Sequence, residues 1–502
     1  MAAVEAVSNV MAQLDQLGVK RQRMTVDSRS ITVGDVFVAV PGAHLDGRSF
    51  VQQALGLGAA AVLRDAVGLS VPHADARVID VVGLSSISGH IADAFYESPS
   101  SNLRVFGITG TNGKTSIANW LSHALSQLGV PCGAVGTLGV SLGAKTWPTQ
   151  NTTPDATQVH TILRELRDCG AEAVAMEVSS HALALHRVAG VRFETVIFTN
   201  LTQDHLDFHG SMAAYGAAKA KLFTDYPATH RIINADDELG LSLLAQNLPN
   251  VLSYGLLAGD IRGQILSADP DGMQISISHA GQSVQFSTHL IGRFNAYNLL
   301  AVAATLVAAN IELGKITAVL ATLEAVPGRM QRVKTLTAGE DPAVYVDYAH
   351  TPDALAKALD TVRETNPRSV SVVFGCGGDR DRSKRPVMGA IAAERADHVY
   401  ITSDNPRNEQ PEQIIAEIVA GIQLNQRSVI KTISLRREAI AAAIAGCHSG
   451  DSVLIAGKGH ETYQEIGNVR FAFSDVDEAR FALAARHGHD RNADGGELNV
   501  AR

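Results

Sequence analysis

Residues 105–116, VFGITGTNGKTS, carry the most specific chemistry in the chain. Val105, Phe106 and Ile108 read as the end of a buried strand. Gly107, Gly110 and Gly113 open a loop, and Lys114-Thr115 leads into a helix expected over 116–128. A strand, a glycine loop and a helix N-terminus together turn backbone N–H groups toward a phosphate. In that arrangement Lys114 reaches the β- and γ-phosphates of a nucleotide and the Thr115 hydroxyl binds Mg²⁺. The expected nucleotide contacts are Gly110, Thr111, Asn112, Gly113, Lys114, Thr115 and Ser116. The spacing is G-x-x-G-x-x-G-K-T, with Ile108 where the strict phosphate-loop pattern has its first glycine. The plain alternative is an ordinary glycine-rich turn between strand and helix.

Two further polar clusters follow apolar runs. Glu177-Val178-Ser179-Ser180-His181 follows 173–176, and residues 200–209, NLTQDHLDFH, follow 195–199. A carboxylate and an imidazole placed there can hold Mg²⁺ on a nucleotide γ-phosphate. Mg²⁺ prefers oxygen, which makes Glu177 the stronger ligand and His205 the less usual one. Taken singly, each histidine also reads as a hydrogen-bonded surface residue.

The elements that must position these groups alternate. From the phosphate loop onward, strands are expected at 132–135, 173–178, 195–199 and 231–234, with helices at 157–169 and 212–223. Such alternation implies a parallel sheet covered by helices on both faces. In open sheets of this kind ligands gather at the carboxyl ends of strands, where both clusters fall. Before the loop, strands at 36–40, 59–63 and 78–82 describe a small α/β unit. Ser98-Pro99-Ser100-Ser101-Asn102 is turn-rich and reads as a linker. After residue 332 another βα series is expected: strands 343–347, 369–374, 398–402 and 452–456, helices 352–364, 386–395 and 412–422. It has a doubly wound, dinucleotide-fold character, but no G-x-G-x-x-G fingerprint, so no redox nucleotide is implied. The fold class is α/β in three domains, 1–101, 102–332 and 333–502. A length of 502 residues suits roughly three domains at ~100–200 residues each.

Composition excludes several classes. The net charge is −9 and there is no basic run, which argues against a nucleic-acid partner. Cys132, Cys169, Cys376 and Cys447 are scattered and form no C-x-x-C pair, as expected of reduced cytoplasmic thiols. Neither a signal sequence nor a run of ~20 apolar residues is present, so no membrane insertion is expected. A monomer is expected, and the polar tail 487–502 is expected to fray.

The wording of these motifs is narrower than their chemistry. TGTNGKT, then MEVSSH at 176–181, TNLTQDHLDFHG at 199–210 and YGAAKAKLF at 215–223 resemble the Mur ligases of peptidoglycan synthesis, in particular those adding the third residue of the stem peptide. The resemblance extends to VDYAHTPDAL, FGCGGDRD, DNPR and AGKGHE in the last third, and to DSR, DVFVAVPG and DGR in the first.

The resemblance implies a uridine-binding first domain, with Val26 and Ser28 on the UDP moiety. The plain alternative is that Asp27 and Ser28 merely cap a turn. It places the muramyl peptide on Asn151, Thr152, Thr153, Ser179 and Arg187. It makes Lys219 a carbamylated lysine, which joins Thr115, Glu177 and His205 as a metal ligand; by pattern alone Lys219 is a helix lysine. Lys114, Lys219, His205 and Glu177 become the catalytic set. Asn298, Arg329 and Asp347 become ATP contacts, although Asn295 and Asn298 could also cap an apolar helix over 299–309. Arg380, Asp404, Asn405, Pro406, Arg407, Gly457 and Glu461 surround the incoming amino acid. Two positions depart from the family wording, Ala43-His44-Leu45 before DGR and Leu185.

The implied reaction is ATP-dependent, Mg²⁺-assisted amide ligation of meso-2,6-diaminopimelate to UDP-N-acetylmuramoyl-L-alanyl-D-glutamate through an acyl phosphate. Arg407 would grip the distal carboxylate of diaminopimelate and Glu461 its distal ammonium. Alternatives are the lysine-adding muramyl ligase, a folylpolyglutamate synthetase and a phosphate-loop switch or motor. A structural reading of Arg407 pairs it with Glu409.

Overall fold

In the computed structural model the described residues are 2–42, 45–149, 151–334, 341–423 and 430–487. The departure at Ala43-His44 and the tail from 488 onward lie outside them. The chain forms two compact units. The first comprises Met1–Gln264, Ile277–Val284 and Tyr297–Leu320, and the second comprises Ile265–Ser276, Gln285–Ala296 and Ala321–Arg502.

The first unit opens with a four-stranded sheet of Met24–Thr25, Val36–Ala39, Ala61–Asp65 and Val78–Val81, paired in parallel in that order. Val36, Phe37, Val38 and Ala39 are all buried. That is the near-continuous apolar run of a parallel strand covered on both faces. The helices Ala2–Gln16 and Leu84–Phe95 pack on one face. The Tyr96 hydroxyl accepts from the Met24 N–H at 2.8 Å and the Thr161 hydroxyl at 2.9 Å, and the Arg164 guanidinium lies over its ring. These contacts join the first sheet to the helix Ala156–Asp168 of the next.

The central sheet is parallel across Cys132–Gly136, Ala173–Glu177, Arg104–Thr109, Phe193–Phe198, Ala228–Asn234 and Val251–Gly255. Arg104–Thr109 sits mid-sheet between Ala173–Glu177 and Phe193–Phe198, so three strand ends open side by side. Two features were not read from the sequence. Gly139–Leu142 and Lys145–Trp147 form an antiparallel extension at one edge. At the other edge the sheet continues into Ile261–Asp269, Gly272–His279 and Gln282–Thr288. The helix expected at 299–309 runs instead over Arg293–Ala308, which puts Asn295 and Asn298 inside it rather than at its cap. The Asn295 amide bonds back to the Ile291 carbonyl at 2.9 Å.

The second unit holds a six-stranded sheet in the order Gln331–Val333, Ala343–Asp347, Ser452–Ala456, Val370–Phe374, His398–Ile401 and Ile430–Thr432. All its pairs are parallel except the first. Helices cover both faces, as two separate apolar clusters record. A two-stranded hairpin, Tyr463–Ile466 with Val469–Ala472, stands apart from this sheet. The four cysteines are free thiols. No described helix is long and apolar enough to cross a membrane.

Candidate active site

The phosphate loop is shaped by steric necessity. Gly113, at φ +89°, sits where the helix Lys114–Gln127 begins, and a Cβ there would lie 2.4 Å from Asn298 Oδ1. At Gly110 a Cβ would lie 1.8 Å from Thr199 Oγ1. Only glycine lets the loop pass this close to its neighbours. The end of the next strand pins it down. The Thr111 N–H donates to the Asn200 carbonyl (2.8 Å), the Asn112 N–H to Asn200 Oδ1 (3.1 Å), and the Thr199 hydroxyl to the Asn112 carbonyl (2.6 Å). The Thr202 N–H also donates to the Thr111 hydroxyl at 3.0 Å. Thr199, Asn200 and Thr202 are thus positioning residues; the sequence reading places them in the TNLTQDHLDFHG run but gives them no role.

Lys114 folds back on this loop, donating to the carbonyls of Gly110 and Thr111, both at 2.9 Å. Lys219 converges on the same place from the helix Met212–Thr224. Its Nζ donates to the Gly110 carbonyl at 2.7 Å and lies 4.4 Å from the centre of the Tyr215 ring, one helical turn away. Lys219 is 1% exposed. Burial, and then the Lys114 cation beside it, hold the Lys219 pKa well below the usual lysine range. The sequence reading of a helix lysine facing solvent does not hold.

Glu177 ends the strand that pairs with Arg104–Thr109, Ile108 standing opposite it. Its carboxylate is buried and accepts from the Thr137 N–H at 2.8 Å. A compact polar cluster adjoins it. The Thr153 hydroxyl donates to the Glu177 carbonyl (2.9 Å) and accepts from the Ser179 N–H (3.0 Å), while Arg187 donates to the Thr153 carbonyl (3.0 Å). The hydroxyls of Thr152 and Thr137 lie 3.2 Å apart. Thr152, Thr153, Ser179 and Arg187 are therefore brought together beside Glu177. Burial lowers the Arg187 pKa from its ordinary value.

His205, at φ +52°, packs its ring edge-on against His181, their centres 4.8 Å apart. Burial first, then the neighbouring histidines, push the His181 pKa down to about 4. Burial lowers His205 as well. These imidazoles are neutral at physiological pH and able to offer lone pairs. Among the described residues no three His, Cys, Asp or Glu side chains stand close enough to hold a metal ion. The oxygen donors of Thr115 and Glu177 suit Mg²⁺ in kind. Lys219 as an unmodified amine offers no anionic oxygen of the kind Mg²⁺ prefers.

In the first domain the DSR and DGR wordings fold alike. Asp27 caps the 3₁₀ turn Ser28–Ser30 and Asp46 caps Gly47–Phe50, each accepting from the backbone N–H two residues on. The turn cap that is the plain alternative reading of Asp27 is present, while Ser28 is buried and Val26 half-buried.

The second unit carries its own polar constellation. Asp347 ends a strand and accepts from the N–H groups of Met330 (2.7 Å) and Ala349 (2.8 Å). Burial raises its pKa against the opposing pull of Arg329, which stacks over Tyr348. Asn405 bridges two charges. It donates to Glu461 at 2.8 Å and accepts from Lys458 at 3.0 Å, and Lys458 also reaches Glu461 at 2.9 Å. Lys458 is fully buried and was not singled out from the sequence. Gly457 abuts Asp404, a Cβ on it reaching within 2.5 Å of Oδ2. Arg380 is exposed on the 377–380 turn beside Arg407. Arg407 pairs with Glu465 at 3.1 Å, not with Glu409 as the structural alternative had it. Glu409 is held by the buried Arg385.

Three family models match the chain: the Mur ligase family catalytic domain at residues 22–96, the Mur ligase middle domain at 108–306 and the Mur ligase glutamate ligase domain at 328–459. A relative from Chromobacterium violaceum is 46% identical over 481 residues, 94% of this chain and 96% of its own. The chain belongs to the Mur ligase family. That relative is named UDP-N-acetylmuramoyl-L-alanyl-D-glutamate–2,6-diaminopimelate ligase, as is one from Ectopseudomonas mendocina, 45% identical over 95% of this chain and 98% of its own. A solved structure of a ligase with the same name is 35% identical, with a TM-score of 0.69 over 93% of this chain and 95% of that one. The Mur ligase matches fall on all three sheets described above.

Proposed function

We propose that this Mur ligase joins meso-2,6-diaminopimelate to UDP-N-acetylmuramoyl-L-alanyl-D-glutamate, with ATP cleaved to ADP and phosphate. The observation that carries the reading is the register of Ile108 against Glu177. It sets the phosphate loop one strand from the Thr153–Ser179–Arg187 cluster, so a phosphoryl donor and a carboxylate acceptor are held by neighbouring strand ends.

ATP supplies the phosphoryl group that makes the D-glutamyl γ-carboxylate a good acyl donor, and Mg²⁺ neutralises phosphate charge. The chain does the rest by placement. The loop amides of 110–113 and the helix N-terminus cradle the phosphates. Lys114 exchanges the Gly110 and Thr111 carbonyls for phosphate oxygens. Asn298, against Gly113, borders the nucleotide, and Arg329 and Asp347 are further ATP contacts. Val26 and Ser28 meet the UDP moiety; Asn151, Thr152, Thr153, Ser179 and Arg187 hold the muramyl peptide. Thr115, Glu177 and His205, with Lys219 once carbamylated, would hold Mg²⁺.

Lys219 is suited to carbamylation because CO₂ adds to a neutral amine. Burial and Lys114 favour that form, and the product carbamate, formed with loss of one proton, is an anion beside a cation. In the other unit Arg407 takes the distal carboxylate of diaminopimelate. Arg380, Asp404, Asn405, Pro406, Gly457 and Glu461 surround the rest of the amino acid. Its amine attacks the acyl phosphate and phosphate departs, so no protein nucleophile is required.

The test is amino-acid-dependent phosphate release with UDP-muramyl-dipeptide, with a folate, or with neither, using meso-diaminopimelate and L-lysine in parallel. Release that requires both UDP-muramyl-dipeptide and diaminopimelate is expected. Preference for lysine, use of folate, or release without an acceptor would each defeat the reading.

A further inference from the structure

The guanidinium of Arg407 is held from behind by a residue no motif singled out. The hairpin Tyr463–Ile466/Val469–Ala472 lies along residues 404–407 and grips them repeatedly. Gln464 donates to the Asp404 carbonyl at 2.7 Å, and the Glu465 N–H donates to Asn405 Oδ1 at 2.9 Å. The Arg407 N–H donates to the Glu465 carbonyl at 3.1 Å, and the Gly467 N–H to the Arg407 carbonyl at 2.8 Å. Arg407 itself sits at φ +51°, a left-handed conformation unfavourable for a side-chain-bearing residue. These backbone bonds on both sides hold it there.

The side chain is oriented by two more contacts. Nε donates to the Glu465 carboxylate at 3.1 Å, and Nη1 donates to the Gly378 carbonyl at 2.9 Å. Two in-plane bonds lock a planar group against rotation, and among the described residues no acceptor meets Nη2. By contrast, the two fully buried arginines of this unit are forked by both oxygens of a carboxylate, Arg436 by Asp475 and Arg385 by Glu409. Glu465 engages Nε alone and leaves the far nitrogen for an anion.

We propose that Glu465 is a positioning residue that sets the Arg407 guanidinium for the distal carboxylate of the incoming amino acid. The inference rests on the reading of Arg407 given above. The opposing possibility is that Glu465 is a competing anion that the substrate must displace. The two differ in sign: losing a positioner weakens binding, whereas losing a competitor strengthens it.

Steady-state kinetics of the full chain separate them. Glu465→Met, which keeps bulk without an acceptor, and Glu465→Ala are each expected to raise the KM for meso-diaminopimelate ~10-fold or more, with kcat changed less than ~3-fold. The KM values for ATP and UDP-muramyl-dipeptide should not move, which reports an intact fold. Glu465→Gln, whose amide oxygen still accepts from Nε, should recover most of the loss. In an Arg407→Ala background, removing Glu465 should add nothing, because it acts through Arg407. A KM that falls or stays level in Glu465→Met, or an equal loss in the Arg407→Ala background, overturns the role of Glu465 alone. An Arg407→Ala enzyme that keeps its preference for diaminopimelate over lysine overturns the reading of Arg407, and the role of Glu465 with it.

Discussion

Lys219 and Lys114 share one acceptor, the Gly110 carbonyl, at 2.7 and 2.9 Å. Two amines aimed at one oxygen, one of them fully buried, are a costly arrangement for two cations. It is relieved when Lys219 is neutral or has become an anion.

Replacing the buried amine with an apolar group of similar length tests this. In Lys219→Met the Gly110 carbonyl keeps its bond from Lys114. Stability is therefore expected to change by no more than about 1 kcal/mol, because a poorly solvated polar group has been removed. Ligation should nevertheless fall at least ~100-fold, because the carbamate proposed to form on Lys219 can no longer form. In Lys219→Ala, short carboxylic acids should restore part of the activity by filling the vacated space. Denaturant unfolding and phosphate release measure the two effects. Near-normal turnover in either variant would remove Lys219 from the catalytic set.

Lys114→Ala should abolish ligation while leaving the thermal midpoint within a few degrees of wild type, an effect of about 1 kcal/mol or less. Lys114 bonds to loop carbonyls and is not part of an apolar cluster. Ligation at an appreciable fraction of the wild-type rate would contradict its place on the phosphates.

Gly113→Ala asks whether the approach of Asn298 to the loop matters. The new methyl would meet Oδ1 at 2.4 Å and would sit at φ +89°. A loss of about 1–3 kcal/mol in stability is expected from strain of this kind. The KM for ATP should rise far more than that for UDP-muramyl-dipeptide. Equal changes in the two would mean that Asn298 does not border the nucleotide.

Arg385 is wholly buried and held by Glu409, with Glu417 on its other side. The Arg385 guanidinium, followed by the Asp379 N–H, pulls the Glu409 pKa from its ordinary 4.5 down to about 2. A depressed carboxylate pKa stabilises the fold above the unfolded value, and the gain disappears as pH falls through the folded one. Glu409→Gln should therefore lower stability by about 1–3 kcal/mol at pH 7, allowing for the solvent that still reaches the carboxylate. The difference from wild type should shrink between pH 4.5 and pH 2. Urea titrations at pH 7 and pH 3 measure it. A difference independent of pH would show that the lost contact is not ionic.

The sequence by itself determined the α/β class, the phosphate loop and the family. These depend on local order: apolar runs that must be buried on both faces, glycines at a turn, and residues directly after a strand. The strands 343–347 and 452–456 and the helix 352–364 fall where the pattern placed them. The edge strands from Ile261 to Thr288 escaped it because a half-exposed hairpin has neither a long apolar run nor a helical period.

Only the tertiary structure decided what meets across distance. Lys219 reads as an ordinary helix lysine until its helix packs on the loop 109 residues earlier, where exclusion of water shifts its proton equilibrium. Glu465 lies 58 positions from Arg407, and nothing nearby in sequence distinguishes it from Glu409, two residues away. Which carboxylate an arginine meets depends on where a hairpin folds back and which competing cation is buried beside it. Glu409 is taken by Arg385, and Arg407 turns to Glu465.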